Sequence, residues 1–327
     1  MKKVTINDLA RITKHSKSTV SNALNGKSGV NKKVREQIIE TAKSLGYVPS
    51  EIARKMSLGN SKTIGVILRN IGSPFYSDVF DMLDIVSREK KYQIIFYNLR
   101  DNENSIIEAL EFMRGQMVNG IILDSFGNNS KINKYIANMK IPTVIFGLNV
   151  TEDVSCVQAD DEGASREAVD YAIGLGHKHF YFLSNGSNSY YEKRREQAIK
   201  ERVCFHGLKF DESHNIFDTD ITILVDMIIK NCPKDSVLFC YNDLFACKVI
   251  SELMEREKYV PKNYSIISFD NLSIIPYALT TIDIPKREMA KVAIEHLLDI
   301  IENGAGIKKT TLKASLIIRG SVKKYGN

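Results

Sequence analysis

Residues 16–26 read Ser16-Lys17-Ser18-Thr19-Val20-Ser21-Asn22-Ala23-Leu24-Asn25-Gly26. Ser16 suits an N-cap, because its hydroxyl can accept from a backbone N–H that the first helical turn leaves unpaired. The spacing predicts a helix over 17–24 with Val20 and Leu24 turned inward. Asn25 and Gly26 stop it, since both tolerate positive φ. Lys17, Ser18, Ser21 and Asn22 then face outward, and all four form hydrogen bonds. A surface helix made for solubility would carry more Glu and Lys; this one suits the reading of a nucleic acid.

The flanking sequence completes a motif. Thr5-Ile6-Asn7-Asp8 has the form of a capping box with Asp in the acidic place, opening a helix with Ile6, Leu9 and Ala10 on one face. Thr13-Lys14-His15 breaks it. Asn31 can cap a third helix with Val34, Ile38, Ala42 and Leu45 inside; Gly46 ends that helix and Pro49 prevents its resumption. Two short helices joined by a tight turn, closed by a third, form a helix-turn-helix, whose second helix lies in the major groove.

Charge agrees. The whole chain of 327 residues has a formal charge of +6. Residues 1–62 hold 13 Lys+Arg and 4 Asp+Glu, a net of +9, and the remainder is slightly acidic at −3. A basic head on an acidic body points to a polyanionic partner. Lys17, Lys27, Lys32, Lys33 and Arg35 are candidates for phosphate contact.

Beyond residue 62, apolar runs at 63–68, 93–97, 121–123 and 143–146 alternate with helical patterns such as 76–90, where Val79, Leu83 and Val86 share a face. A second series follows at 179–184, 236–240 and 265–269. Such alternation predicts an α/β fold of parallel sheets, and some 260 residues of it divide into two lobes with a ligand cleft at the carboxyl ends of the strands. No apolar run approaches the ~20 residues of a bilayer span, and the basic N-terminus leads into no apolar core, so neither a membrane helix nor a secretory signal is expected. Five cysteines without a Cys-x-x-Cys spacing predict reduced thiols and a cytoplasmic protein.

Several segments together are similar to the LacI/GalR family of bacterial repressors. They begin with Val4-Thr5-Ile6-Asn7-Asp8-Leu9-Ala10 and the 16–26 stretch. Gly46-Tyr47-Val48-Pro49, Ala53-Arg54-Lys55-Met56 and Lys62-Thr63-Ile64-Gly65-Val66 follow. Next come Ser73-Pro74-Phe75-Tyr76, Asn119-Gly120-Ile121-Ile122 and Gly174-Leu175-Gly176-His177. Tyr241-Asn242-Asp243, Ser268-Phe269-Asp270 and Leu279-Thr280-Thr281 complete the series, in family order across essentially the whole chain.

The resemblance implies a helix-turn-helix head at 1–49, a hinge helix and linker at 50–62, and a two-lobed effector-binding and dimerisation core at 63–327, similar to periplasmic sugar-binding proteins. It implies a homodimeric repressor on a near-palindromic double-stranded DNA operator, controlled by a small effector, a sugar or sugar derivative, that either releases DNA or promotes its binding. For DNA contact it points to Thr5, Ser16, Lys17, Ser18, Thr19, Ser21, Asn22, Asn25, Ala53 and Met56. Many members carry Arg where this chain has Asn22, whose amide suits adenine. Met56 takes the place of the family's leucine wedge in the minor groove.

For the effector it points to Ser73, Phe75, Ser125, Tyr191, Arg195, Phe217, Asn242 and Asp270, with aromatic faces for a sugar ring and fork-like donors and acceptors for hydroxyls. Gly147 stands where many members have an Asp, and Ala198 replaces a Gly after Arg195. The C-terminal 317–327 is too short for the extra helix of the family's tetramers, so a dimer is expected.

An enzyme is the first rival. There is no His-Glu-x-x-His, Gly-x-Ser-x-Gly, phosphate-binding Gly-x-x-x-x-Gly-Lys or Gly-x-Gly-x-x-Gly. No catalytic residue, metal or cofactor is expected, and His177 and His179 read as structural. A stand-alone solute-binding protein is the second rival, and it has no use for residues 1–58.

Overall fold

Thr5 opens the first helix, α1 (Ile6–Thr13), through a reciprocal capping box: its Oγ1 accepts from the Asp8 amide, and the Asp8 carboxylate accepts from the Thr5 amide at 3.0 Å. Two orphan donors are thereby satisfied locally. The structure is a computed structural model that describes residues 4–47, 61–127, 129–147, 152–186 and 189–325. The expected hinge helix at 50–58, with Ala53 and Met56, lies outside the described residues. By internal contacts the chain forms two compact units, Met1–Ser61 and Lys62–Asn327.

In the first unit, Ser16 caps α2 (Lys17–Leu24) and Asn31 caps α3 (Lys32–Ser44), each through its side-chain oxygen. Gly26 takes φ +67° and Gly46 φ +62° as the chain leaves these helices. The core is Leu9, Val20, Ala23, Ile38 and Ala42, with Ile6, Ala10, Leu24, Val30, Val34 and Tyr47 around it. Two expectations need correcting. Ala23, three residues after Val20, is the fully buried partner, and Leu24 is half-buried. Leu45 is 37% exposed, because α3 ends at Ser44 and position 45 no longer follows the helical face.

The second unit holds two six-stranded sheets. The first comprises β1 (Thr63–Leu68), β2 (Gln93–Asn98), β3 (Gly120–Asp124), β4 (Thr143–Phe146), β5 (Ser155–Ala159) and β11 (Lys309–Leu312), in the order β11-β5-β4-β3-β1-β2. The second comprises β6 (Phe180–Ser184), β7 (Asn215–Phe217), β8 (Val237–Cys240), β9 (Ser265–Phe269), β10 (Thr280–Asp283) and β12 (Ser315–Ile317), in the order β12-β10-β9-β8-β6-β7. All pairings are parallel except β10 with β12. Every residue of β1, β3, β4, β6, β8 and β9 is buried, as strands covered on both faces must be.

Helices α4 (Phe75–Glu89), α5 (Ile106–Gly115) and α6 (Ser130–Met139) connect the strands of the first lobe. Helices α7 (Asp161–Gly174), α8 (Tyr190–Phe205), α9 (Ile221–Asn231) and α10 (Asp243–Glu255) serve the second, and α11 (Lys286–Asn303) returns to pack beside α4. The chain therefore crosses between the lobes three times: from β5 into α7, from β10 into α11, and from β11 into β12. His177 is structural in geometry, its two ring nitrogens lying 2.9 Å from the Asp235 carbonyl and 2.8 Å from that of Lys323. All five cysteines are unpaired, and no described helix is long and apolar enough to cross a membrane.

Candidate functional site

On the first unit, Lys17 and Ser18 are exposed at the start of α2, and Thr19, Ser21 and Asn22 are half-buried along it. Several hydroxyls have local duties. Ser16 Oγ accepts from the Thr19 amide at 3.1 Å and shares hydroxyl bonds with Ser18 and Thr19. Asn25 donates to the Ser21 carbonyl at 2.9 Å, closing the end of the helix. Thr5 is exposed, with its hydroxyl held by Asp8.

Lys27, Lys32 and Lys33 are exposed around this helix. Arg35, expected at a phosphate, donates instead to the Lys27 carbonyl and so braces the turn that follows α2. Among the described residues, no hydrogen-bond partner is found for the side chains of Lys17 and Asn22. This leaves a cation and an amide presented by a rigid, locally capped helix, the donor set that phosphate and base edges require.

In the second unit the other predicted residues gather at the carboxyl ends of the strands. Arg195, on α8, is buried to 9% exposure and anchored three ways. Its Nε and Nη2 each lie 2.9 Å from Asp161 Oδ2 at the first crossover, and its Nη1 donates to the Tyr241 carbonyl at 2.8 Å. Its guanidinium stacks 4.2 Å above the Phe269 ring, and Nη2 is 3.9 Å from Asp270.

Asp270 follows β9 with φ +104°, and its carbonyl accepts from Lys286 at the second crossover. Burial pushes the Asp270 carboxyl up to about 7; Arg195 pulls the other way, and Asp243 adds to the rise. Burial alone would lower the Arg195 value, but Asp161 and Asp270 hold it above its ordinary range.

Asn242 caps α10, its Oδ1 accepting from the Phe245 amide at 2.8 Å. Its side chain also hydrogen-bonds Tyr241. Phe75 begins α4 with its ring 5.8 Å from the Lys286 ammonium and edge-on to Tyr76, and Ser73 lies half-buried just before it. Ser125 is buried directly after β3, where its carbonyl accepts from Arg69 at 2.9 Å. Phe217 ends the edge strand β7 and is 57% exposed, so it is not a core residue. No contact between its ring and the Arg195 group is found among the described residues, although both lie at the carboxyl edge of the second sheet.

Sequence reasoning missed several members. Asp161 and Lys286 sit at lobe crossovers, and Asp124 ends β3, bonded to Tyr76 and to the Arg69 amide at 3.1 Å. Burial holds Asp124 above the ordinary carboxylate range against Arg69 and Tyr76. A charged residue closing an apolar strand run was the available signal at Asp124; Asp161 and Lys286 lie two and three residues beyond polar strands and carried no such signal. Around Gly147 the expected loss of a polar anchor has a counterpart: a side chain there would overlap the Tyr191 hydroxyl, which reaches across from the other lobe.

This geometry can bind and orient a polyhydroxylated ligand between two lobes. Comparison with known proteins finds a match within each of the two units. Residues 5–50 match the profile described as bacterial regulatory proteins, lacI family, and residues 169–322 match a periplasmic binding protein-like domain. Catabolite control protein A of Priestia megaterium is 28% identical over 304 residues, covering 90% of this chain and 91% of that one. The lac repressor dimer bound to operator and the anti-inducer ONPF superposes with a TM-score of 0.85 at 19% identity, covering 98% of this chain and 100% of that one. A complex of the transcriptional regulator CelR with cellobiose does so with a TM-score of 0.71 at 20% identity and the same coverages.

Proposed function

Because the chain belongs to the lacI family of bacterial regulatory proteins, we propose that it is a cytoplasmic transcriptional repressor whose grip on a near-palindromic operator is set by a carbohydrate effector. The observation that carries this reading is one chain holding both a capped recognition helix, with Lys17 and Asn22 presented, and a two-lobed cleft built on Arg195, Asp161 and Asp270. A homodimer supplies two heads, which match the two halves of the operator by symmetry. The protein acts by binding alone, with no cofactor.

In the head, phosphate contacts from Lys17, Lys27, Lys32 and Lys33 supply affinity, and Asn22 with Ser18 supplies base choice. In the cleft, Phe75 and Phe217 offer aromatic faces to the C–H side of a sugar ring. Arg195, Asp270, Asn242, Ser73, Ser125 and Tyr191 offer donors and acceptors to its hydroxyls. The effector spans both lobes, so it binds unequally to open and closed arrangements, and that inequality is what shifts DNA affinity. Residues 50–58, with Ala53 and Met56, carry the change to the head.

The reading is tested by selecting binding sites from random duplex with the full chain, then repeating the measurement without residues 1–58. A dyad-symmetric consensus that vanishes with the deletion is expected. Absence of any sequence preference in the full chain, with and without a panel of sugars and sugar phosphates, overturns it. The rival reading as a stand-alone solute-binding protein gives ligand binding with no DNA preference at all.

A further inference from the structure

Two consecutive tyrosines begin α8, and both touch the opposite lobe. The helix is rooted in the second lobe, where Ala198, Ile199 and Val203 are buried, and its start is fixed by Ser189, whose Oγ accepts from the Glu192 amide at 3.3 Å. Tyr190 packs on Gly127, just beyond β3; a Cβ there would sit 3.3 Å from the tyrosine Cβ and Cγ. Tyr191 packs on Gly147, just beyond β4, where a Cβ would overlap the phenol oxygen and lie 3.2 Å from Ser125 Cβ.

Both glycines have positive φ, +68° and +106°, so a side chain at either is excluded by backbone conformation as well as by the tyrosines. The amide of Gly147 is fixed by a 2.7 Å bond to the Val157 carbonyl, which makes the notch a rigid part of the first sheet. The Tyr191 phenol also acts electrostatically on Arg69 of the first lobe and on Arg195 of the second.

We propose that Tyr190 and Tyr191 form a latch that holds the two lobes together through protein atoms alone, with the Tyr191 phenol seated in the Gly147–Ser125 notch. A ligand hydroxyl directed at Ser125 shares that space and must displace the phenol. The latch therefore sets the free-energy difference between open and closed lobes on which an effector acts, and in this it rests on the reading of the cleft as the effector site.

The chain contains no tryptophan, so Tyr190→Trp installs a single indole at the latch. In that background, emission and acrylamide quenching are compared with and without Tyr191→Ala, with Gly147→Ala, and with both. Each single change is expected to red-shift the emission and raise the quenching constant, and the double variant to go no further, because both act on one contact. Small-angle scattering of Tyr191→Ala in the otherwise native chain, with an expected increase in radius of gyration, guards against an effect of the indole itself.

Unchanged emission, quenching and radius after Tyr191→Ala overturn the latch, provided circular dichroism shows the variant folded. A misfolded Tyr191→Ala is replaced by Tyr191→Phe, which keeps the ring and withdraws the oxygen from the notch; it must shift emission in the same direction or the latch fails. Sequence-selective DNA binding is measured on the native chain in parallel. Its absence defeats the regulatory reading, whatever the fluorescence shows.

Discussion

Replacing Asp270 by Asn should change how stability responds to pH. The carboxyl is raised from its ordinary 3.8 to about 7 in the folded chain, first by burial and also by Asp243, with Arg195 and Lys286 opposing. The folded state therefore holds this proton more tightly than the unfolded state does. Between the two values the unfolded chain binds fewer protons, so the stability contribution is fully present below about pH 4 and is lost as pH rises through 7. A shift of roughly three units corresponds to about 4 kcal/mol, and about 2.5 kcal/mol of that falls between pH 5 and pH 8.

Asn has nearly the same shape and cannot ionise, so the variant should gain on the native chain by that amount across the interval. Urea unfolding of both proteins at pH 5, 6, 7 and 8, compared as differences, isolates this one group from the rest of the titration. A native-minus-variant difference that stays flat with pH would falsify the assignment. A flat difference with the native chain the more stable throughout would mean that Arg195, 3.9 Å away, wins over burial and holds the carboxylate ionised.

Arg195→Met removes the partner of the half-buried Asp161 and the donor to the Tyr241 carbonyl, and should cost about 3–5 kcal/mol. Adding Asp161→Asn should restore part of it, and additive losses in the urea midpoint would show that the two do not form a unit. Asn22→Arg should move preference at one half-site position from A·T toward G·C by about 1–3 kcal/mol, read by binding-site selection; an unchanged consensus there removes Asn22 from base contact. Lys17→Gln should weaken binding to all sequences alike and lower the salt slope by about one, and a sequence-dependent loss would make Lys17 a base reader.

The parts of this protein that were legible in the sequence are those whose causes are local. Ser16, Thr5 and Asn31 reach amides two or three residues away, so their caps follow from the order of residues alone. The central strands are buried on both faces and read as unbroken apolar runs, with 63–68, 143–146 and 265–269 matching β1, β4 and β9 end to end. Three of the four edge strands did not read so. Strand β7 is Asn-Ile-Phe, β11 is Lys-Thr-Thr-Leu and β12 is Ser-Leu-Ile; three or four half-exposed residues carry too little pattern to distinguish a strand from a loop.

The same distinction divides the cleft. Arg195 and Asp270 sit in recognisable motifs, but what makes them a site is closure over distance: Asp161 is 34 residues from Arg195, and Lys286 arrives only because the chain has crossed back to the first lobe. Gly147 shows this most sharply. Alone it looks like a lost carboxylate; beside Tyr191 it is the space that a phenol from the other lobe requires. A glycine with positive φ signals room for something, and only the fold says what fills it. A change at position 147 should therefore be felt first as a change in how the lobes meet, and only through that as a change in ligand affinity.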